Sequence, residues 1–318
     1  MFKWQVYLLL SIGLLCQFSC NSIDDEPAAS FALENYFFDS EISFDIGGDD
    51  SDFVFPDTNV ERFVIEESGN EIEDSINHRK WRYNAIFPPS YNNSKERVYP
   101  VLYILHGLGS HPDNATLGLR LISLLDYCYI KELLPELIVI LPDCEKSYWV
   151  DDYIEGVKYE TFFSEIFLPS VESKYRIDTS IKRYIFGISM GGYGAAHYAF
   201  SYPEMFEYCY SASGVLGGKG VDSTPSIVDT AKSKNGRTLP YLTIDIGYSD
   251  SFFETNEMVH EELFGINVAH EYIKRPGAHD WEFWRGSIYA CLLRIGRIMK
   301  NMENVAEKDS GIKNVTSD

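Results

Sequence analysis

Apolar residues fall along this chain in short, almost unbroken runs: Val101–Leu105, Leu137–Leu141, Tyr184–Phe186, Tyr208–Ser211, Leu242–Ile246 and Ala269–Ile273, separated by longer stretches of helical character. A strand with no polar face must be covered on both sides, so these runs predict a mostly parallel central sheet between helices, an α/β domain. Ahead of them, Glu61–Ile65 and Trp81–Phe87 are neighbouring strand candidates joined by a polar turn and closed by Pro88-Pro89. A short connection between neighbours suits an antiparallel hairpin, expected at one edge of the sheet. The folded domain is expected over residues 57–303, with a polar tail at 304–318.

The N-terminal pattern is of another kind. Lys3 precedes the apolar stretch Val6–Leu15, and polar residues follow at once. That stretch is too short for a comfortable membrane span and has the layout of a signal peptide, residues 1–19. Ser19-Cys20 then has the form of a lipoprotein processing site, with Cys20 becoming the lipidated N-terminus. Gln17 stands where an aliphatic residue is usual, so cleavage without lipidation stays open. The expected location is therefore the outer membrane or cell surface by way of a lipid anchor, with periplasm or secretion as the alternative. Residues 20–56 read as an acidic tether. Its Asp24-Asp25-Glu26 is similar to the export signal of some surface lipoproteins, or is simply solvated linker. The run Gly47–Asp52 lacks the spacing and terminal Glu of a twelve-residue calcium loop.

Charge narrows the partners. The net charge of −21 becomes −22 once residues 1–19 leave with their single lysine and no acid. A chain this acidic offers no basic surface for phosphates, which weighs against nucleic acid. Of six cysteines, Cys16 leaves with the signal and Cys20 takes lipid, so Cys128, Cys144, Cys209 and Cys291 stay in the folded domain. They form no C-x-x-C pair, and their apolar neighbours favour buried free thiols over metal or redox chemistry. No H-e-x-x-h pattern or Cys/His cluster is present, so neither metal nor cofactor is expected.

The chemistry points to Gly187-Ile188-Ser189-Met190-Gly191-Gly192, which follows an apolar strand and enters the helical stretch Tyr193–Phe200. G-x-S-x-G in that setting is a nucleophile elbow: the glycines permit a turn sharp enough to expose the Ser189 hydroxyl. Upstream, Val101–Leu105 ends in His106-Gly107-Leu108-Gly109; downstream, two strand candidates lead to Tyr248-Ser249-Asp250 and to Gly277-Ala278-His279-Asp280-Trp281. The order Ser, Asp, His is the one an α/β-hydrolase uses, and each of these groups sits just past a strand's C-terminal end. Ser189 is thus the candidate nucleophile, His279 its base, and Asp250 the group that orients the imidazole. The N–H groups of Leu108 and Met190 are the candidate oxyanion hole. Among the rivals, Asp245 lies mid-strand, Asp280 is too close to His279 in sequence to reach its Nδ1, and His106, His197 and His270 fall where structural roles are expected.

With Ser211-Ala212-Ser213-Gly214 added, these pieces resemble the esterase D-like α/β-hydrolases, a group holding feruloyl and acetyl-xylan esterases, S-formylglutathione hydrolases and mycolyltransferases. The resemblance runs from about Lys80 to Ile298 and implies an α/β-hydrolase fold and a serine esterase, which the N-terminal pattern makes an exported one. Acetyl or feruloyl esters of glycans are the expected substrates. It also makes Ser147–Asp151 the aromatic loop near the substrate, so Tyr148 and Trp149 are candidate contacts, joined by Trp281 and Trp284 as walls of the cleft. Gly217–Arg237, polar and lying between two strands, fits an insertion over the site. Two alternatives stay open: acyl transfer to a sugar alcohol, as in mycolyltransferases, and a non-catalytic glycan-binding lipoprotein on a hydrolase fold.

Overall fold

A computed structural model of the chain describes residues 55–217, 223–234 and 237–313, with side chains as far as residue 302. The expected signal peptide, Cys20 and nearly all of the tether lie outside the described residues.

Eight strands form one sheet in the order β1-β2-β4-β3-β5-β6-β7-β8. β1 (Ile65–Asp74) and β2 (Arg79–Phe87) pair antiparallel at one edge, and β2 pairs antiparallel with β4 (Ile138–Pro142). β3 (Val101–Leu105), β4, β5 (Arg183–Ile188), β6 (Phe206–Ala212), β7 (Tyr241–Gly247) and β8 (His270–Arg275) all run parallel. The fold is therefore the expected α/β-hydrolase arrangement. β3, β4 and β6 are buried at every position, as unbroken apolar runs require.

The first strand differs from expectation. It begins where Glu61–Ile65 ends, because the hairpin's outer member is the polar Ile65–Asp74. An edge strand with one solvated face needs few apolar residues, which removes the signal that marks interior strands. Its register slips between Glu67 and Asn70, where Gly69 takes a φ of +68° and donates its N–H to Asn84 Oδ1 at 2.9 Å.

Helices cover both faces. On one, α3 (Tyr159–Phe162), a π-helical turn (Phe163–Phe167) and α4 (Leu168–Lys174) pack beside α5 (Met190–Ser201), with Phe163 stacked on Tyr198 at 4.5 Å. On the other, α2 (Leu121–Ile130) meets the closing helix α8 (Trp281–Lys313) through Tyr127 and Tyr289. α1 (Pro112–Gly118) is tied to the start of α8: Arg285 Nε donates to Gly118 O at 2.8 Å. Between β6 and β7, the described part of the Gly217–Arg237 stretch contains helix α6 (Ile227–Ser233); α7 (Phe253–Gly265) joins β7 to β8. Cys128, Cys144, Cys209 and Cys291 are buried free thiols, and burial pushes Cys128 up to about 12.

Trp149 fixes how closely α5 can lie. A Cβ built on Gly194 would fall 2.5 Å from Cγ of that wholly buried ring. Alanine in a helix interior gains up to about 1 kcal/mol over glycine, but overpacking a tight core costs about 1–3 kcal/mol. Gly194→Ala should therefore be net destabilising, read as a lower thermal midpoint; an unchanged or raised midpoint would mean that Trp149 yields.

Candidate active site

The site is built at the C-terminal ends of β3, β5, β7 and β8. Ser189 stands between β5 and α5 with φ 54° and ψ −118°, a region that side-chain-bearing residues enter only under constraint. Two glycines make that turn possible. A Cβ on Gly187 would fall 1.9 Å from Gly191 O, and one on Gly191 would fall 2.1 Å from Leu105 O. Backbone hydrogen bonds hold the strained residue, from Ser189 N–H to Ala212 O at 2.9 Å and from Val215 N–H to Ser189 O at 3.2 Å.

His279 and Asp250 arrive from the loops after β8 and β7. His279 Nε2 lies 2.9 Å from Ser189 Oγ, and its Nδ1 lies 2.9 Å from Asp250 Oδ2 and 3.2 Å from Oδ1. With the proton on Nδ1 toward Asp250, Nε2 is left as the acceptor for the serine hydroxyl. Asp250 Oδ1 also accepts the Phe252 N–H at 2.9 Å. Burial alone pushes the Asp250 carboxyl upward, but hydrogen bonds from His279 and from Phe252 N–H help hold it below its ordinary 3.8. The ring of His279 is packed by Phe252 at 5.2 Å and edge-on by Trp284 at 5.0 Å.

The glycine loop after β3 lies directly against the serine: a Cβ on Gly107 would be 3.2 Å from Ser189 Cβ. Within the described residues the Leu108 N–H has no hydrogen-bond acceptor, and Met190, as the first residue of its helix, has no intrahelical one. His106, buried beneath this loop, has Nδ1 2.8 Å from Gly107 O and accepts the Cys144 N–H on Nε2 at 3.1 Å, which shapes the backbone.

The rival groups are engaged elsewhere. Asp245 is paired with Arg275, and Asp280 accepts the Phe283 N–H at the start of α8. His197 lies 3.0 Å from Glu160 Oε2, and His270 Nε2 lies 2.7 Å from His260 Nδ1.

The aromatic candidates sit less openly than their sequence suggests. Trp149 is 0% exposed, walled by His106, Tyr159 and the Cβ-free edge of Gly194, so it has no ring face to offer a substrate. Tyr148 is 7% exposed and lies against Tyr153 at 4.3 Å. Trp281 is half-buried, its ring filling the place of a Gly118 side chain and meeting Trp284 edge-on. Tyr148 and Trp149 both take positive φ, a local conformation that residue types alone do not announce. The exposed apolar group nearest Asp250 in sequence is Tyr248, 52% exposed; Leu108, in the glycine loop after β3, is 54% exposed. Phe252, which packs on His279 and bonds Asp250 through its N–H, has no signal in the sequence beyond its proximity to Asp250 in the chain.

The model of a family described as putative esterase matches residues 75–295. An esterase of Mycobacterium tuberculosis (strain ATCC 25618 / H37Rv) is 33% identical over 138 residues, covering 41% of this chain. The chain spans only 28% of the length of that relative. An acetyl esterase of Caldicellulosiruptor saccharolyticus is 22% identical over 215 residues, 58% of this chain and 78% of that one. Among solved structures, a ferulic acid esterase superposes with a TM-score of 0.67 at 26% identity, covering 75% of this chain and 100% of that one. An S-formylglutathione hydrolase from Staphylococcus aureus gives 0.60 at 22% identity, covering 73% and 98%.

The lowered Asp250 carboxyl has a consequence for stability. A folded-state value below the unfolded one means that ionised Asp250 stabilises the fold above pH 3.8, and that this contribution is lost as pH falls through the lower folded value. Asp250→Asn should therefore lower the urea midpoint at neutral pH, with the gap to wild type closing in acid. A gap of constant size across that range would contradict the assignment.

Proposed function

The chain belongs to the putative esterase family, and from that premise we propose that it is a serine carboxylic-ester hydrolase acting through an acyl-enzyme on Ser189. The observation that carries this reading is the continuous hydrogen-bonded line Ser189–His279–Asp250; the Leu108 and Met190 N–H groups are the proposed oxyanion hole. Ser189 Oγ attacks the ester carbonyl carbon while its proton passes to His279 Nε2. The carbonyl oxygen becomes an oxyanion that the two N–H groups stabilise; losing one such donor costs about 2.7–4 kcal/mol in a precedent with a side-chain donor. Collapse expels the alcohol, which takes the proton from His279. Water then repeats the sequence on the acyl-enzyme, returning Ser189 to its resting state. Asp250 keeps the imidazole in the required tautomer and stabilises the imidazolium that forms transiently. A binding module would have no use for this line of groups.

Acetyl or feruloyl esters of glycans are the proposed substrates. Solved relatives named for ferulic acid and a relative named as an acetyl esterase support the acyl group. Export supports the glycan, because an enzyme outside the cytoplasm meets polymers too large to import and cannot count on glutathione. Lys3, the apolar stretch after it and Ser19-Cys20 are the basis for export and for a lipid anchor on Cys20. Intact-mass analysis of the mature N-terminus tests the anchor: an unmodified residue there would remove it.

Catalytic efficiencies on acetylated xylo-oligosaccharide, methyl ferulate, a short triglyceride and S-formylglutathione, with Ser189→Ala as the blank, test the whole reading. A glycan-type ester is expected to lead, and Ser189→Ala to lose essentially all turnover while keeping its fold. S-formylglutathione or the triglyceride leading by tenfold would reject the glycan assignment but leave the mechanism standing. Turnover of Ser189→Ala within tenfold of wild type would reject the mechanism itself. A sugar acceptor added to the same reactions reads acyl transfer against hydrolysis.

A further inference from the structure

A buried ion pair that the proposed chemistry does not use lies at the root of the loop carrying His279. Asp245 in β7 is wholly enclosed and accepts from Arg275 Nε and Nη2 at 2.9 Å each and from the Tyr210 hydroxyl at 2.8 Å. Arg275 is the last residue of β8. Its Nη2 also donates to Phe283 O at 3.0 Å and Ser287 Oγ at 2.8 Å, both in the first turns of α8, and its guanidinium carbon sits 3.6 Å over the Phe283 ring. One side chain therefore grips both ends of the segment 276–280. It stands at the strand end from which the segment departs, and it bonds the helical turn at which the segment arrives.

The segment between these grips is closely constrained. Gly277 takes a φ of +146°, and a Cβ there would fall 2.2 Å from the Phe283 ring. Two backbone bonds of 2.9 Å stitch the segment to the loop carrying Asp250, from Tyr248 N–H to Arg275 O and from Ser249 N–H to Gly277 O. Burial pushes the Arg275 guanidinium down, but Asp245 outweighs it and keeps the side chain charged. Desolvation offsets much of the attraction in such a buried pair, so net stability is a poor explanation for it. What a side-on guanidinium–carboxylate fork supplies is orientation, with further N–H groups left to reach other acceptors.

We infer that Arg275, locked by Asp245, is a positioning residue: it sets the register of segment 276–280 so that His279 reaches Ser189 and Asp250 at once. This rests on the roles proposed above for those three residues. Arg275→Lys keeps the charge but cannot fork across Asp245 and serve the two helix acceptors as well. Misplacing a reacting group by about 1 Å can cost about 10²-fold. Toward p-nitrophenyl acetate, kcat of Arg275→Lys should therefore fall about 10²-fold with KM held within about threefold. In a His279→Ala background the same substitution should leave the residual rate unchanged, because Arg275 acts through the imidazole. Ser287→Ala, which removes one tether and keeps the ion pair, should lower kcat about threefold, again only when His279 is present. Wild-type kcat in a folded Arg275→Lys overturns the inference, as does an equal loss with and without His279, the sign of general loosening. If Arg275→Lys does not fold, Ser287→Ala in the two backgrounds decides by the same criteria. Wild-type activity in His279→Ala alone would instead overturn the proposed roles of the site, and this inference with them.

Discussion

The molecule depends on how closely three backbone segments approach one another at the end of β5. Ser189 is held at φ 54° and ψ −118° because Gly187 and Gly191 nest together and Gly191 lies on the carbonyl of Leu105. A residue kept in such a region costs of order 1–3 kcal/mol. The surrounding sheet offsets that cost: β3, β5 and β6 are hydrogen-bonded neighbours, the N–H of Ser189 bonds the last residue of β6, and its carbonyl is engaged by the chain that follows β6. The same crowding brings Gly107 against the serine. The strain at Ser189 and the close approach of the glycine loop thus have one cause.

Much of this was legible in the residues. Interior strands carry apolar runs and could be found from those, β3 and β4 being apolar throughout, and the paired glycines around Ser189 mark the elbow. The sheet edges were harder. Ile65–Asp74 is a strand whose stability comes from pairing with β2, and its polar residues read as a turn between strands. The aromatic residues show the same limit from the other side. Trp149 and Trp281 carry the composition of a sugar-binding surface, yet one is enclosed and the other fills space at Gly118. Whether a ring packs inward or faces a substrate depends on tertiary neighbours such as Gly194, which lie far along the chain.

Two tiers of constraint follow from the topology. Ser189 is fixed by covalent geometry in a strand–turn–helix, whereas His279 and Asp250 sit on loops and need support from elsewhere. β7 and β8 end side by side, so their loops are stitched together by backbone bonds, and the Asp245–Arg275 pair beneath ties that seam to the final helix. Fold alone leaves the chemistry open in a scaffold that hosts many activities. Here the reading rests on specific groups within hydrogen-bond reach.

The central claim is that Ser189 is a hydroxyl made nucleophilic by its setting. Labelling the folded protein with a fluorophosphonate probe, followed by peptide mass spectrometry, tests this most directly. Modification at Ser189 alone, abolished by prior heat denaturation and strongly slowed in His279→Ala, is the predicted result. No covalent adduct, or an adduct on a different serine while Ser189 stays unmodified, would contradict the account.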